Sequence, residues 1–283
     1  MWQAPDVAGY LFFGGLAGAS SVLAASAHLS GHRDLARVAK LSALGAISLS
    51  AAALVHDLGR PSRFTNMLRV FKPSSPMSVG SWLLAGYGPV AGAAAVSEVT
   101  GILPAAGTAA TLGAGLLGPA VATYTAALIC DTAVPAWHAG YHEMPYLFAG
   151  SAASAAGGLG LLATAPGAAE PARRLAVLGA GVELVAKRRL IKRLATPGPV
   201  SASEPYETGR AGVMLRVAGG LTAGGLAGAL LGRRSRALSA LSGASLLAAS
   251  ALTRFGIFEA GMASARDPKY TIVPQRQRQD GRF

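Results

Sequence analysis

Charge is segregated along this chain: residues 7–27, 41–55, 77–97, 99–130 and 237–253 contain no Asp, Glu, Lys or Arg. A hydrocarbon core takes about 20 apolar residues per helical crossing, so these stretches read as membrane spans. Charged residues make up 13% of the 283 and mean hydropathy is +0.42. A soluble domain carries about 25% charged residues, and the difference excludes both an ordinary soluble protein and a disordered one. The alternating strands of about ten residues that build a membrane β-barrel are absent from the sequence pattern. Residues 1–7 lack the positive leader of a signal peptide, so the first apolar stretch is expected to remain as a span.

The pattern predicts an all-α, polytopic membrane protein of about eight helices, at 7–29, 35–58, 79–99, 108–130, 145–164, 173–185, 212–231 and 238–262. The sixth is short and crowded by Glu183 and Lys187, so tilting or snorkelling must supply its length. Glycine, alanine and serine dominate these segments. No hydrophobic force joins helices inside lipid, and small residues allow the close packing that does. Eight helices suggest two four-helix bundles, residues 1–140 and 141–283, although no sequence repeat relates them. Residues 62–71 read as a short basic surface helix before the break at Pro73 and Pro76.

With that helix count, the side bearing both termini carries 15 basic residues and the other side 8. The positive-inside rule then places both termini in the cytoplasm. Net charge +12 is thus a topology signal that also suits docking of an acidic partner, and no nucleic-acid partner is expected. The single cysteine, Cys130, cannot hold an iron–sulfur cluster or close a disulfide. Electrons handled by this chain must come from another subunit or a diffusible carrier.

Ionisable groups at membrane depth are costly unless paired or hydrated, which makes their distribution informative. His56-Asp57-Leu58-Gly59-Arg60-Pro61 ends the second helix, 131–145 follows the fourth, and Glu183, Arg254 and Glu259 lie late in their helices. All fall on the terminus-bearing side, whereas His28, His32 and Glu98 fall on the other. One reading is structural: Gly59 as the C-cap with Pro61 beyond it is a helix stop, and the charges form interfacial ion pairs. The other is a quinone head-group site, which needs donors to two carbonyls and groups that relay two protons. His56 and Asp57 suit both tasks, and Glu98, Glu183 and Arg216 are candidates for a proton relay.

Four sequence blocks carry a family resemblance. They are Leu54-Val55-His56-Asp57-Leu58-Gly59-Arg60-Pro61; Met67 through Ser78, with Lys72-Pro73-Ser74-Ser75-Pro76; Tyr124-Thr125 with Thr132-Ala133-Val134-Pro135-Ala136-Trp137; and Arg254-Phe255-Gly256-Ile257-Phe258-Glu259-Ala260-Gly261 with Asp267-Pro268-Lys269-Tyr270. In this order they resemble the NrfD/polysulfide reductase membrane-subunit family. The resemblance implies a multi-pass subunit of the bacterial plasma membrane that exchanges electrons between the quinone pool, menaquinone or ubiquinone, and a ferredoxin-like iron–sulfur subunit. A molybdopterin catalytic subunit is implied beyond it. The resemblance also implies a quinone site in the first bundle, at His56, Asp57, Arg60, Tyr124 and, early in helix one, Tyr10 and Gly14.

Three other readings compete. A haem b anchor needs two histidines on facing helices at one depth, but His28 and His56 fall at opposite faces and His138 and His142 in a connection, so no haem is expected. A secondary transporter needs helices broken at the midplane, for which Gly118-Pro119 is the one candidate. A structural anchor without quinone chemistry needs none of these features.

Overall fold

A computed structural model describes residues 4–59, 66–195 and 200–279. Among these there is no strand. The long helices are α1 (Ala4–Leu29), α2 (Arg33–Asp57), α3 (Pro76–Thr100), α4 (Pro104–Cys130), α6 (Met144–Ala163), α7 (Glu170–Leu194), α9 (Gly209–Leu231) and α10 (Arg236–Arg266). Short helices α5 (Pro135–Ala139), α8 (Glu204–Glu207) and α11 (Lys269–Gln279) lie between and after them. Pro76, Pro104, Pro135, Pro145 and Pro171 sit in first turns, where the missing N–H costs nothing. Ser75 and Ser235 cap α3 and α10 by accepting from the amides of Ser78 and Leu238. Gly101, at φ 72°, ends α3 in the left-handed conformation that suits glycine.

Seven of these helices, α1, α2, α3, α4, α6, α9 and α10, are long and apolar enough to cross a membrane. The expected helix at 173–185 is α7, which continues to Leu194 and carries Lys187, Arg188, Arg189, Lys192 and Arg193 in its last turns. That basic end lowers its apolar content, but its packing matches its neighbours. α7 lies antiparallel along α6: a Cβ on Gly150 would stand 2.6 Å from the Glu183 amide, and one on Gly160 2.5 Å from the Ala172 Cβ. Glycines at both ends of α6 thus bring the two backbones together along their length.

α1 packs on α2 and α4, and α3 closes the same ring against α2 and α4. α6 packs on α7 and α10, and α9 closes a second ring against α7 and α10. α1 joins the two rings through α6 and α10. α3 and α4 run unbroken through Pro89 and Pro119. The expected surface helix at 62–71 falls partly outside the described residues, as does Arg60.

Candidate quinone site

Tyr10 in α1 and Tyr124 in α4 face each other near the ends of their helices. Their hydroxyls share a hydrogen bond, and the rings meet edge-on with centroids 6.4 Å apart. Gly80 of α3 leaves room for this arrangement, since a Cβ there would stand 2.5 Å from Tyr124 Cε2. Tyr10 is buried among Leu11, Ile129 and Cys130. Tyr124 also forms part of the wall of a pocket of about 590 Å³ between the start of α3, the end of α4 and the start of α6. The other polar groups on that wall include Asp131, His138 and Tyr141.

His138 reaches this pocket because α5 folds back under α4. The five-residue helix is fastened to α10 and α8. Trp137 is fully buried, donates from Nε1 to the Ile257 carbonyl at 2.8 Å and packs on Phe258. The Ala136 amide donates to Ser264 Oγ at 3.2 Å, and Tyr206 of α8 donates to the Ala136 carbonyl at 2.7 Å. The indole lies directly over Gly261, where a Cβ would overlap the ring. Two blocks far apart in sequence, 132–137 and 254–261, therefore meet as one clamp. It holds His138 with Nδ1 3.1 Å from the Cys130 carbonyl. A carbonyl only accepts, so Nδ1 carries the proton, and in the neutral ring Nε2 is left as an acceptor.

The residues expected from sequence divide into groups. Tyr10 and Tyr124 come together as described. Gly14 lies one turn further along α1 at the crossing with α2, where a Cβ would stand 3.2 Å from Ser50 Oγ, and Ser50 donates to the Tyr10 carbonyl at 3.2 Å. His56, with 77% of its side chain exposed, lies 3.0 Å from Asp6 Oδ2 at the face where α1 begins and α2 ends. Asp57 beside it is partly buried, and its side chain has no hydrogen-bond partner among the described residues. Arg60 lies outside those residues. Sequence reasoning placed His138 in a connection and missed its return to the end of α4. The signal was Pro135, a helix start three residues before it.

The proposed relay groups are not brought together. Glu98 pairs with buried Lys40 at 2.6 Å toward the opposite face. Arg216 donates to the Glu207 carbonyl at 2.7 Å. Glu183 is buried and accepts from Thr253 at 2.8 Å and Ser154 at 3.1 Å. Arg254, next to Thr253 in α10, is fully buried, lies 3.6 Å above the Phe148 ring and donates to the Phe148 carbonyl at 2.8 Å. Its Nε and Nη1 have no partner among the described residues. Among those residues there is no group of three or more His, Cys, Asp or Glu placed to hold a metal ion.

A family model described as polysulphide reductase, NrfD, matches residues 1–178. The chain belongs to the NrfD family. The match takes in Tyr10, Gly14, His56, Asp57, Tyr124 and His138, and it ends within α7. Membership makes this NrfD chain a multi-pass membrane subunit of an oxidoreductase complex, working with other oxidoreductase subunits. No curated protein matches the chain.

Proposed function

We propose that this NrfD chain is the quinone- or quinol-interacting subunit of its complex, exchanging electrons between menaquinone or ubiquinone and a ferredoxin-like iron–sulfur subunit that serves a molybdopterin catalytic subunit. One observation carries the reading. Two hydroxyls bonded to each other hold two protons and use one; with Tyr10 as the donor, the spare O–H belongs to Tyr124, the member of the pair on the pocket wall. A buried donor needs an acceptor, and a quinone carbonyl is one. At about 590 Å³ the pocket is within the range of about 300–1,000 Å³ common for small-molecule sites.

Quinone reduction takes up two electrons and two protons. Tyr124 would hold one carbonyl oxygen. His138, with Nδ1–H committed to Cys130, has Nε2 to accept and release a proton. His56, Asp6 and Asp57 lie about one turn outward of Tyr10, roughly 6 Å along α1, and supply titratable groups between the tyrosine pair and the membrane face. Electrons must arrive from a partner, because one buried cysteine ligates no cluster.

α7 packs along the length of α6, so we read it as the eighth crossing. The eight spans then form two four-helix bundles, the first, 1–140, holding the quinone site and the second, 141–283, packed beside it. An even number of crossings puts both termini on one side, and the basic residues gathered there assign it to the cytoplasm of a bacterial cell. That side also bears the pocket mouth and the polar connections, a surface suited to docking the iron–sulfur subunit. Photolabelling of the assembled complex with an azido-quinone tests the site. Label on peptides holding Tyr124 or His138 is expected, and label confined to 145–266 overturns the assignment.

A further inference from the structure

Beyond the quinone site, one face of α7 changes character along its length. Leu178, Val182 and Val185 follow one another at helical spacing and are 68%, 44% and 49% exposed. Arg189 continues the same face one turn later and is exposed. The rise from Leu178 to Arg189 is about 16 Å, close to half of a hydrocarbon core about 30 Å thick. Beside this face, α6 begins with Tyr146, 67% exposed, an aromatic at the depth where such rings favour the membrane boundary. Tyr146, Val182, Val185 and Arg189, with His142 and Glu143, line a groove of about 330 Å³, and Leu178 continues its apolar strip beyond that lining.

The charges at the groove's polar end are unequal. Glu143 is held bidentately by Arg193, at 2.7 and 2.6 Å, and is thereby neutralised. The side chains of Arg189 and His142 make no hydrogen bond among the described residues. The mouth therefore presents an uncompensated guanidinium above a strip of exposed apolar side chains one leaflet long.

We propose that this groove binds an anionic phospholipid, its phosphodiester on Arg189 beside His142 and an acyl chain along Val185, Val182 and Leu178. Charge and length both select this occupant. A partner's transmembrane helix would have to bring a carboxylate to match Arg189, whereas a bilayer presents phosphate at that depth throughout. Arginine suits phosphate through its planar pair of donors.

The test is native mass spectrometry of the full chain in detergent, titrated separately with phosphatidylglycerol and phosphatidylcholine. The wild-type chain should retain phosphatidylglycerol in preference. Arg189→Gln should weaken that retention about fivefold, the effect of one basic residue near an anionic lipid surface. Arg174→Gln, an exposed cation at the other end of α7 paired with Glu170, should leave it unchanged. Val185→Trp should reduce retention by filling the groove without altering charge. Equal retention of the two lipids by the wild-type chain, equal losses in both arginine variants, or full retention in Val185→Trp would each overturn the proposal. So would protection of Val182→Cys from maleimide by the partner subunits together with no lipid preference, which would place a partner helix in the groove.

Discussion

Replacing Tyr124 by phenylalanine separates a catalytic hydroxyl from a structural one. In the wild-type protein the two tyrosine hydroxyls share one hydrogen bond, and on the proposed reading Tyr10 donates it and the Tyr124 O–H is left for the pocket. Tyr124→Phe removes the donor on the pocket wall, and a neutral hydrogen bond of about 0.5–1.5 kcal/mol corresponds to roughly a 2- to 13-fold loss in quinone affinity or rate. It also strands the Tyr10 hydroxyl, 5% exposed, at a cost of about 1–3 kcal/mol. Tyr10→Phe does the opposite, because Tyr124 keeps its O–H and spends it on the bound carbonyl. Quinone-linked turnover should therefore fall in Tyr124→Phe and hold in Tyr10→Phe, while iron–sulfur cluster reduction stays normal in both. The double variant should recover much of the stability lost in Tyr124→Phe without recovering turnover. Thermal denaturation of the purified complex, with turnover and cluster reduction measured in the same membranes, provides all three readouts. Equal losses in the two single variants, or unchanged turnover in assembled Tyr124→Phe complex, would refute the assignment of the spare donor.

Asp57→Asn should leave the complex assembled and its clusters reducible but slow quinone exchange, since Asp57 is the half-buried carboxyl beside the His56–Asp6 pair; ordinary turnover removes it from the mechanism. Gly261→Ala should destabilise the chain by about 1–3 kcal/mol by driving a methyl group into the Trp137 ring, and should impair quinone-linked activity as α5 carries His138 away from Cys130; melting temperature and turnover check both. The Arg193 guanidinium holds the Glu143 carboxyl below the usual carboxylate range, so Arg193→Gln should lose up to about 1 kcal/mol at neutral pH, discounted for Arg193's exposure. That loss relative to wild type should begin to shrink below about pH 4.3 and vanish as pH falls through the lowered folded value, in denaturant melts across that range. A reporter active only in the cytoplasm, fused at Phe283, should be active; a stable but inactive fusion would show that the basic residues serve docking and not topology.

The long apolar segments and their boundaries were legible because a membrane span is a local requirement: about 20 residues without charge, stopped by glycine, proline or a cation. Tyr10 and Tyr124 were legible as candidates through family resemblance, though nothing local joins positions 114 residues apart. α7 was under-read for the converse reason. Its hydropathy is lowered by a basic end, and the glycines that press it along α6 lie on another helix. The relay of Glu98, Glu183 and Arg216 failed because sequence gives the depth of a residue but not which helix it faces. Each of the three is already bonded to a different neighbour.

By itself the sequence determined that this chain is a set of long apolar helices suited to a bilayer, since that follows from the cost of placing polar groups in hydrocarbon. Tertiary structure decided which polar groups meet. Helix packing set Tyr10 against Tyr124, the seat of Trp137 on Gly261 turned His138 back to the end of α4, and the α6–α7 contact opened the groove beneath Arg189. Those pairings depend on how small residues on one helix admit large ones from another, a relation between segments that no single segment encodes.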